Sequence, residues 1–232
     1  MKVTMFLFLI ILNTTLFAKE QSRYYKSIIQ ELNSLNSKTR QYELFQALIS
    51  RVKGFKTANE ILPYLDWLRD SSLNSNSSSF RYAALYGIYL SKVSQKETSK
   101  AMLLHSLLRL ELDVLRCKNS KDTITKYMEW KEGIQSHLKR NSIPIDENIR
   151  FLTLNLEESQ KNRQGDKWLC GDIDFVKAIQ KGQYTSSTQG KITNVRTIPS
   201  EDVLLPVSFV DDKKWYSIRE DVISKFKKKY LE

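Results

Sequence analysis

The chain has 232 residues, of which 41% are hydrophobic and 27% charged, with a formal net charge of +11. That length builds one good-sized domain, and the apolar share excludes global disorder. Seven glycines and four prolines are too few for a sandwich or barrel, which needs a turn about every ten residues, and Lys and Arg are scattered over a solvated exterior rather than gathered in one basic block.

The first eighteen residues read as an export leader. Met1-Lys2 is positive, Val3 to Leu12 is almost continuously apolar, and Leu16-Phe17-Ala18 ends on a small residue before the polar Lys19-Glu20-Gln21-Ser22. No later stretch approaches eighteen consecutive apolar residues. The expectation is a cleavable bacterial signal peptide over 1–18 and a periplasmic or secreted product; an uncleaved N-terminal anchor is the alternative. Export demotes nucleic acid as a partner. It also places Cys117 and Cys170 in an oxidising compartment, where they are expected to pair. The closed loop would remove roughly 4 kcal/mol of unfolded-state entropy.

Apolar residues then recur at steps of three and four along the chain, the helical period. Tyr25, Ile28, Ile29, Leu32 and Leu35 form a first stripe, ended by the Asn-Ser cluster at Asn33 to Ser37. Leu44, Phe45, Leu48, Ile49 and Val52 form a second, ended near Gly54. Thr57 and Glu60 are spaced as a capping box ahead of Ile61, Leu65 and Leu68, with Pro63 kinking this helix or marking a start near Leu62. Ser71 to Ser79 is a polar connection.

Phe80 to Ser94 predicts a helix with a small inward face, Ala83, Ala84, Gly87 and Ser91, suited to close backbone approach and a central position. Gln95 to Cys117 is apolar around much of its circumference and predicts burial on more than one side. Asp122 is the expected cap of a helix carrying Ile124, Tyr127, Met128, Ile134 and Leu138. Pro144 and Asp146 open another, with Ile149, Leu152 and Leu156, and Asp172 caps Ile173, Val176 and Ile179. From Gly182 the chain is polar, then β-branched over Ile192 to Ile198 and Val203 to Val210, where Pro206 allows only an edge strand or arm. A final helix carries Ile218, Val222, Ile223, Phe226 and Tyr230, with lysines near its C-terminus to complement the dipole.

The fold class is therefore all-α: an irregular antiparallel helical bundle or short α-solenoid of helical hairpins. Residues 19–182 form the helical domain, 183–212 an extended segment able to form short strands, and 213–232 an amphipathic helix packing on the same domain. No 34-residue repeat recurs.

Catalytic signatures are sparse. The Gly-x-Ser-x-Gly elbow, His-Glu-x-x-His, the P-loop and the dinucleotide fingerprint do not occur. The only histidines are His105, expected in the core, and His137, expected at the surface. A Cys2His2 zinc site fails because twelve residues of helix would separate His105 from Cys117 by about 18 Å. No metal or cofactor is expected. Glu111, flanked by leucines, is the one candidate catalytic acid; pairing with a Lys or Arg such as Arg109 or Arg116, or exposure at the edge of the stripe, is the expected alternative. Tryptophans and tyrosines are numerous enough to line a glycan or peptide groove, although aromatics at helical spacing are mostly core. Candidate partner-binding residues are Trp168, Trp215, Lys227, Lys228 and Lys229.

These features point to a non-enzymatic exported scaffold that binds another envelope or secreted protein, as an immunity or secretion-accessory protein does. The alternative is a binder of cell-wall polymer, or a glycan-cleaving enzyme using a carboxylate. The basic surface would suit an anionic wall polymer, and the C-terminal helix adds a third option, peripheral contact with an anionic membrane surface.

Overall fold

The computed structural model describes residues 22–37, 40–73, 79–118, 122–162, 165–172, 174–181 and 201–232. The expected leader over 1–18 and the β-branched run Ile192 to Ile198 lie outside the described residues. Helix accounts for 77% of the described chain and strand for 3%, so the fold is all-α as the periodicity predicts.

The helices follow as α1 (22–35), α2 (Gln41–Arg51), α3 (Ala58–Leu73), α4 (Phe80–Lys92), α5 (Lys96–Arg116), α6 (Thr123–Arg140), α7 (Glu147–Ser159), α8 (Lys167–Cys170), α9 (Phe175–Gln180) and α10 (Asp212–Phe226). A π-helical turn, Lys227–Leu231, continues α10. Two short strands, β1 (Cys117–Lys118) and β2 (Ser208–Phe209), pair antiparallel with Cys117 opposite Phe209. β2 falls within the Val203 to Val210 run expected as an edge strand or arm, whereas β1, at the end of a run expected as helix, was not foreseen.

Helix α5 is the centre. Residues 101–110 are buried without interruption, and α4, α6, α7, α8 and α10 pack around the helix. It contains neither Gly nor Pro and is rich in leucine, the strong helix-forming composition. The tightest of these contacts is with α4. A Cβ added at Gly87 would lie 2.9 Å from Leu103 Cγ and 3.1 Å from the Ser99 carbonyl oxygen, and Ser99 Oγ donates to the Gly87 carbonyl at 2.8 Å. Ser91, expected on the same inward face, is exposed and donates to the Ile88 carbonyl. The α4–α5 turn is closed by the Gln95 N–H on the Leu90 carbonyl at 3.2 Å, with Ser94 at φ 62°. This is a Schellman closure with serine where glycine is usual.

Local signals hold with adjustments. Thr57 Oγ1 accepts the Glu60 N–H at 3.4 Å, while the Glu60 carboxylate accepts the N–H of Lys56 rather than that of Thr57. Helix α3 then runs through Pro63; the carbonyl deprived of its donor belongs to Asn59, an exposed residue of the first turn. Asp146 caps α7 by accepting the Ile149 N–H at 2.8 Å. Asp122 stands at the start of α6 but its side chain makes no cap bond. The cap of α9 is Asp174, which accepts from the Lys177 N–H, whereas Asp172 Oδ1 accepts the Asp122 N–H at 3.0 Å and ties the two segments.

The apolar stripes of α6 and α7 are turned inward only in part. Ile124 is 63% and Met128 57% exposed, and Leu152 is 40% exposed. Of the expected residues Ile134 and Ile149 are buried, and Tyr127, Leu138 and Leu156 pack partly against the core, but the remaining buried places go to Thr123 and Lys126 on α6 and to Thr153 and Glu157 on α7. The physical reason is that buried polar groups need polar partners: the carbonyls of α8 draw Lys126 inward, and buried His105 on α5 draws Glu157. Cys117 and Cys170 form the expected disulfide, with Cα atoms 4.9 Å apart, joining the end of α5 to α8 around the excursion through α6 and α7.

Two single substitutions test this packing. Gly87→Ala forces Leu103 or the α5 backbone outward and should cost about 1–3 kcal/mol. Ser94→Gly removes the left-handed strain and should gain up to about 1 kcal/mol. Urea melts of both variants against the parent chain read the two signs directly.

Candidate functional site

On α5, His105, Arg109 and Asp113 stand four residues apart and so share one face, each 0–1% exposed. His105 Nε2 lies 3.9 Å from Glu157 Oε2 of α7, and Glu157 Oε1 is 3.4 Å from Arg219 Nε of α10. One turn along, Arg109 donates to Gln160 Oε1 at 2.8 Å, and Gln160 Nε2 donates to the Ser72 carbonyl of α3 at 2.8 Å. Four helices therefore meet through buried charged or amide groups. Such groups persist only when paired, and stripping one partner from a buried ion pair costs about 3–5 kcal/mol.

Glu111, the carboxylate singled out from the sequence, is not part of this row. Its side chain is 22% exposed and makes the expected pair with a basic residue, Lys131 of α6 at 2.9 Å, rather than Arg109 or Arg116. Arg109, two residues away, points to another face of the helix, and Arg116 reaches Asp212 at 3.3 Å. Trp168 and Trp215 are core residues, 3% and 2% exposed. Arg81 lies 4.4 Å over the Trp168 ring and 4.3 Å over Phe45, and Arg116 lies 5.1 Å over Trp215. Lys227, Lys228 and Lys229 are exposed on the final turn, with Lys229 Nζ 4.9 Å from the Tyr230 ring. His105 is fully buried, as expected. His137 is half-buried, and burial, then Arg140 and Lys92, lower its pKa.

Sequence reading missed Lys126, which is 5% exposed. Its ammonium donates to the carbonyls of Trp168 (2.8 Å) and Gly171 and lies 5.2 Å from the Trp168 ring centroid. Burial pushes its pKa down to about 8.

A second polar locus opens at the surface. A cleft of about 390 Å³ lies between α1 and the last turns of α3, lined by Tyr25, Ile29, Asn33, Asp66, Trp67 and Asp70 among others. Tyr25 donates to Asp66 Oδ2 at 2.7 Å, which raises the Tyr25 pKa and keeps its hydroxyl a donor. Arg69 bridges Asp66 (3.1 Å) and Asp70 (3.0 Å). Across the cleft, Asn33 Oδ1 accepts the Trp67 indole N–H at 2.9 Å, and Asn36 Oδ1 accepts the Tyr82 hydroxyl at 3.0 Å. The asparagines were legible only as helix-ending residues.

Among the described residues no group of three or more His, Cys, Asp or Glu side chains could hold a metal ion, and no helix is long and apolar enough to cross a membrane. Comparison with family models, with curated proteins and with solved structures finds no match.

Lys126 gives the interior a measurable signature. Below pH 8 both folded and unfolded chains carry its charge, and the cost of burying it is full. Between about 8 and its unfolded value near 10.4 the unfolded chain holds a proton the folded chain has lost, so stability rises with pH. Buried Tyr64 and Tyr89 and half-buried Tyr86, whose pKa values are raised chiefly by desolvation, act oppositely above pH 10. Urea melts from pH 7.5 to 10 should show the parent gaining about 2–3 kcal/mol relative to Lys126→Met; parallel curves would refute the buried ammonium.

Proposed function

We propose that the chain is an exported, non-enzymatic helical scaffold that binds a second protein of the cell envelope or the exterior. The observation that carries this reading is the use to which the interior puts its ionisable groups. Glu157 joins α7 to α10 through Arg219, Glu111 joins α5 to α6 through Lys131, and Asp166 accepts from Ser79 at the start of α4. Each carboxylate ties one element to another, so the chemistry of the core serves rigidity.

Recognition then falls to the outer surface. Ile124 and Met128 stand one turn apart on α6, 63% and 57% exposed, and Phe151 on α7 is 67% exposed. Apolar side chains of this size on a rigid helix face suit a protein partner more than a charged polymer. The leader-like residues 1–18 and the disulfide support a site of action beyond the inner membrane.

The full chain, expressed with its own leader and carrying a photo-crosslinker at exposed Thr125, should yield one discrete adduct from the envelope. That adduct should disappear in the Ile124→Asp, Met128→Asp double variant and persist when Leu205, an exposed residue on another segment, is replaced by Asp. An adduct indifferent to the α6 substitutions, or full-length product with reduced thiols in the cytosol, would overturn the reading.

A further inference from the structure

We propose that the cleft between α1 and α3 binds a neutral saccharide segment. This goes beyond the protein-partner reading and does not depend on it. Tyr25, Ile29 and Asn33 follow one another at steps of four, so one face of α1 forms a wall of the cleft, which Asn36 extends just past the helix end, its N–H still on the Leu32 carbonyl. The facing wall is the end of α3.

The two walls are chemically complementary. The Trp67 indole and the Tyr82 hydroxyl belong to rings only 6% exposed, and each donates to the oxygen of one asparagine amide. An amide whose oxygen is held by a buried donor cannot flip without leaving that donor unpaired. The amide nitrogens of Asn33 and Asn36, with two hydrogens each, are therefore turned away from those rings. Among the described residues no acceptor takes them up. Opposite them stand carboxylate acceptors: Asp66, already organised by Tyr25 and Arg69, and Asp70, whose side chain is 72% exposed and is held on one oxygen by Arg69. The lining also includes apolar surface, Ile29 and the Tyr25 ring.

A molecule that fits must accept along one edge, donate along the other and offer C–H surface as well. Ring hydroxyls of a sugar do all three. The charge balance selects a neutral one: Asp66 and Asp70 outnumber Arg69, so the cleft is locally negative on a chain of net charge +11, and a phosphate or carboxylate ligand would be repelled there. Size also argues for a short segment. About 390 Å³ lies near the lower end of the roughly 300–1,000 Å³ typical of small-molecule sites.

Asparagine-to-aspartate exchange provides an isosteric test. In Asn33→Asp and Asn36→Asp an oxygen still accepts from Trp67 or Tyr82, so the fold is kept, but the amide donors at the cleft are lost. Titration calorimetry of the full mature chain against chitotetraose, cellotetraose and maltotetraose should give one-to-one binding to at least one of them. Inorganic phosphate should not bind in the cleft. Each aspartate variant should weaken the saccharide at least tenfold with an unchanged thermal melt, and Asp70→Ala, at an exposed position that cannot compromise folding, should weaken it several-fold. No heat from any tetrasaccharide at millimolar concentration, binding unchanged in all three variants, or phosphate binding abolished by Arg69→Gln would each overturn the proposal.

Discussion

The rest of the structure depends on the burial of α5 around its whole circumference. A helix in this position needs cover on every side, and the cover differs by face. The face carrying Leu103 and Ser99 takes the backbone of α4 at Gly87, a contact only a residue without Cβ permits. The face carrying His105 and Arg109 takes Glu157, Gln160 and, through Glu157, Arg219. Hydrophobic burial is non-directional and would let α7 and α10 slide along or rotate on α5. Charged and amide contacts at fixed spacing do not, so the polar row sets the register that the leucines leave open.

A second tie converges on the single turn α8. The Arg81 guanidinium lies between the rings of Phe45 and Trp168, and its Nε donates to Ser79 Oγ at 2.9 Å. Ser79 in turn donates to Asp166, the N-cap of α8. Helices α2, α4 and α8 thus share one desolvated cation, an environment in which a cation–π contact is worth about 2 kcal/mol or more. Cys170, at the other end of α8, is bonded to Cys117 at the end of α5. A four-residue helix has almost no stability of its own. It is held because a covalent bond and a buried guanidinium fix it from two sides.

Helix positions, the small face of α4 around Gly87, the Asp146 cap and the cysteine pair were legible because each is a local pattern or, for the cysteines, an even count of two. What was not legible is which of two apolar faces a helix turns inward. Helix α6 carries Ile124 and Met128 on one side and Ile134 on another; choosing between them requires knowing that Lys126 finds the carbonyls of Trp168 and Gly171 some forty residues away. Arg219 reads as a solvent residue until Glu157 is placed beside it. Trp168 reads as a partner-binding aromatic until two cations and the rings of Phe80 and Trp130 surround it. The cleft was invisible for the same reason. Asn33 and Asn36 have the propensity of helix-ending residues, and only the indole and phenol donors behind them give their amides an orientation.

These ties are unevenly distributed. Around α5 the interactions are desolvated and cross-linked, and opening any one helix exposes a buried charge. Helix α1 is attached differently: it buries Ile28, Leu32 and Leu35 and adds hydrogen bonds at the protein surface, Tyr25 to Asp66, Trp67 to Asn33 and Arg51 to Glu31. Bonds of that kind contribute about 1 kcal/mol each in exchange with water. The free energy of opening α1 locally is accordingly far below that of unfolding the α5 assembly, the usual gradient between peripheral and central elements. A ligand spanning α1 and α3 would bind only when the two are closed, and by linkage would stabilise that closed state. The polar cleft therefore sits where binding energy has the most conformational freedom to act on, against a framework that the disulfide and the buried ion pairs hold fixed.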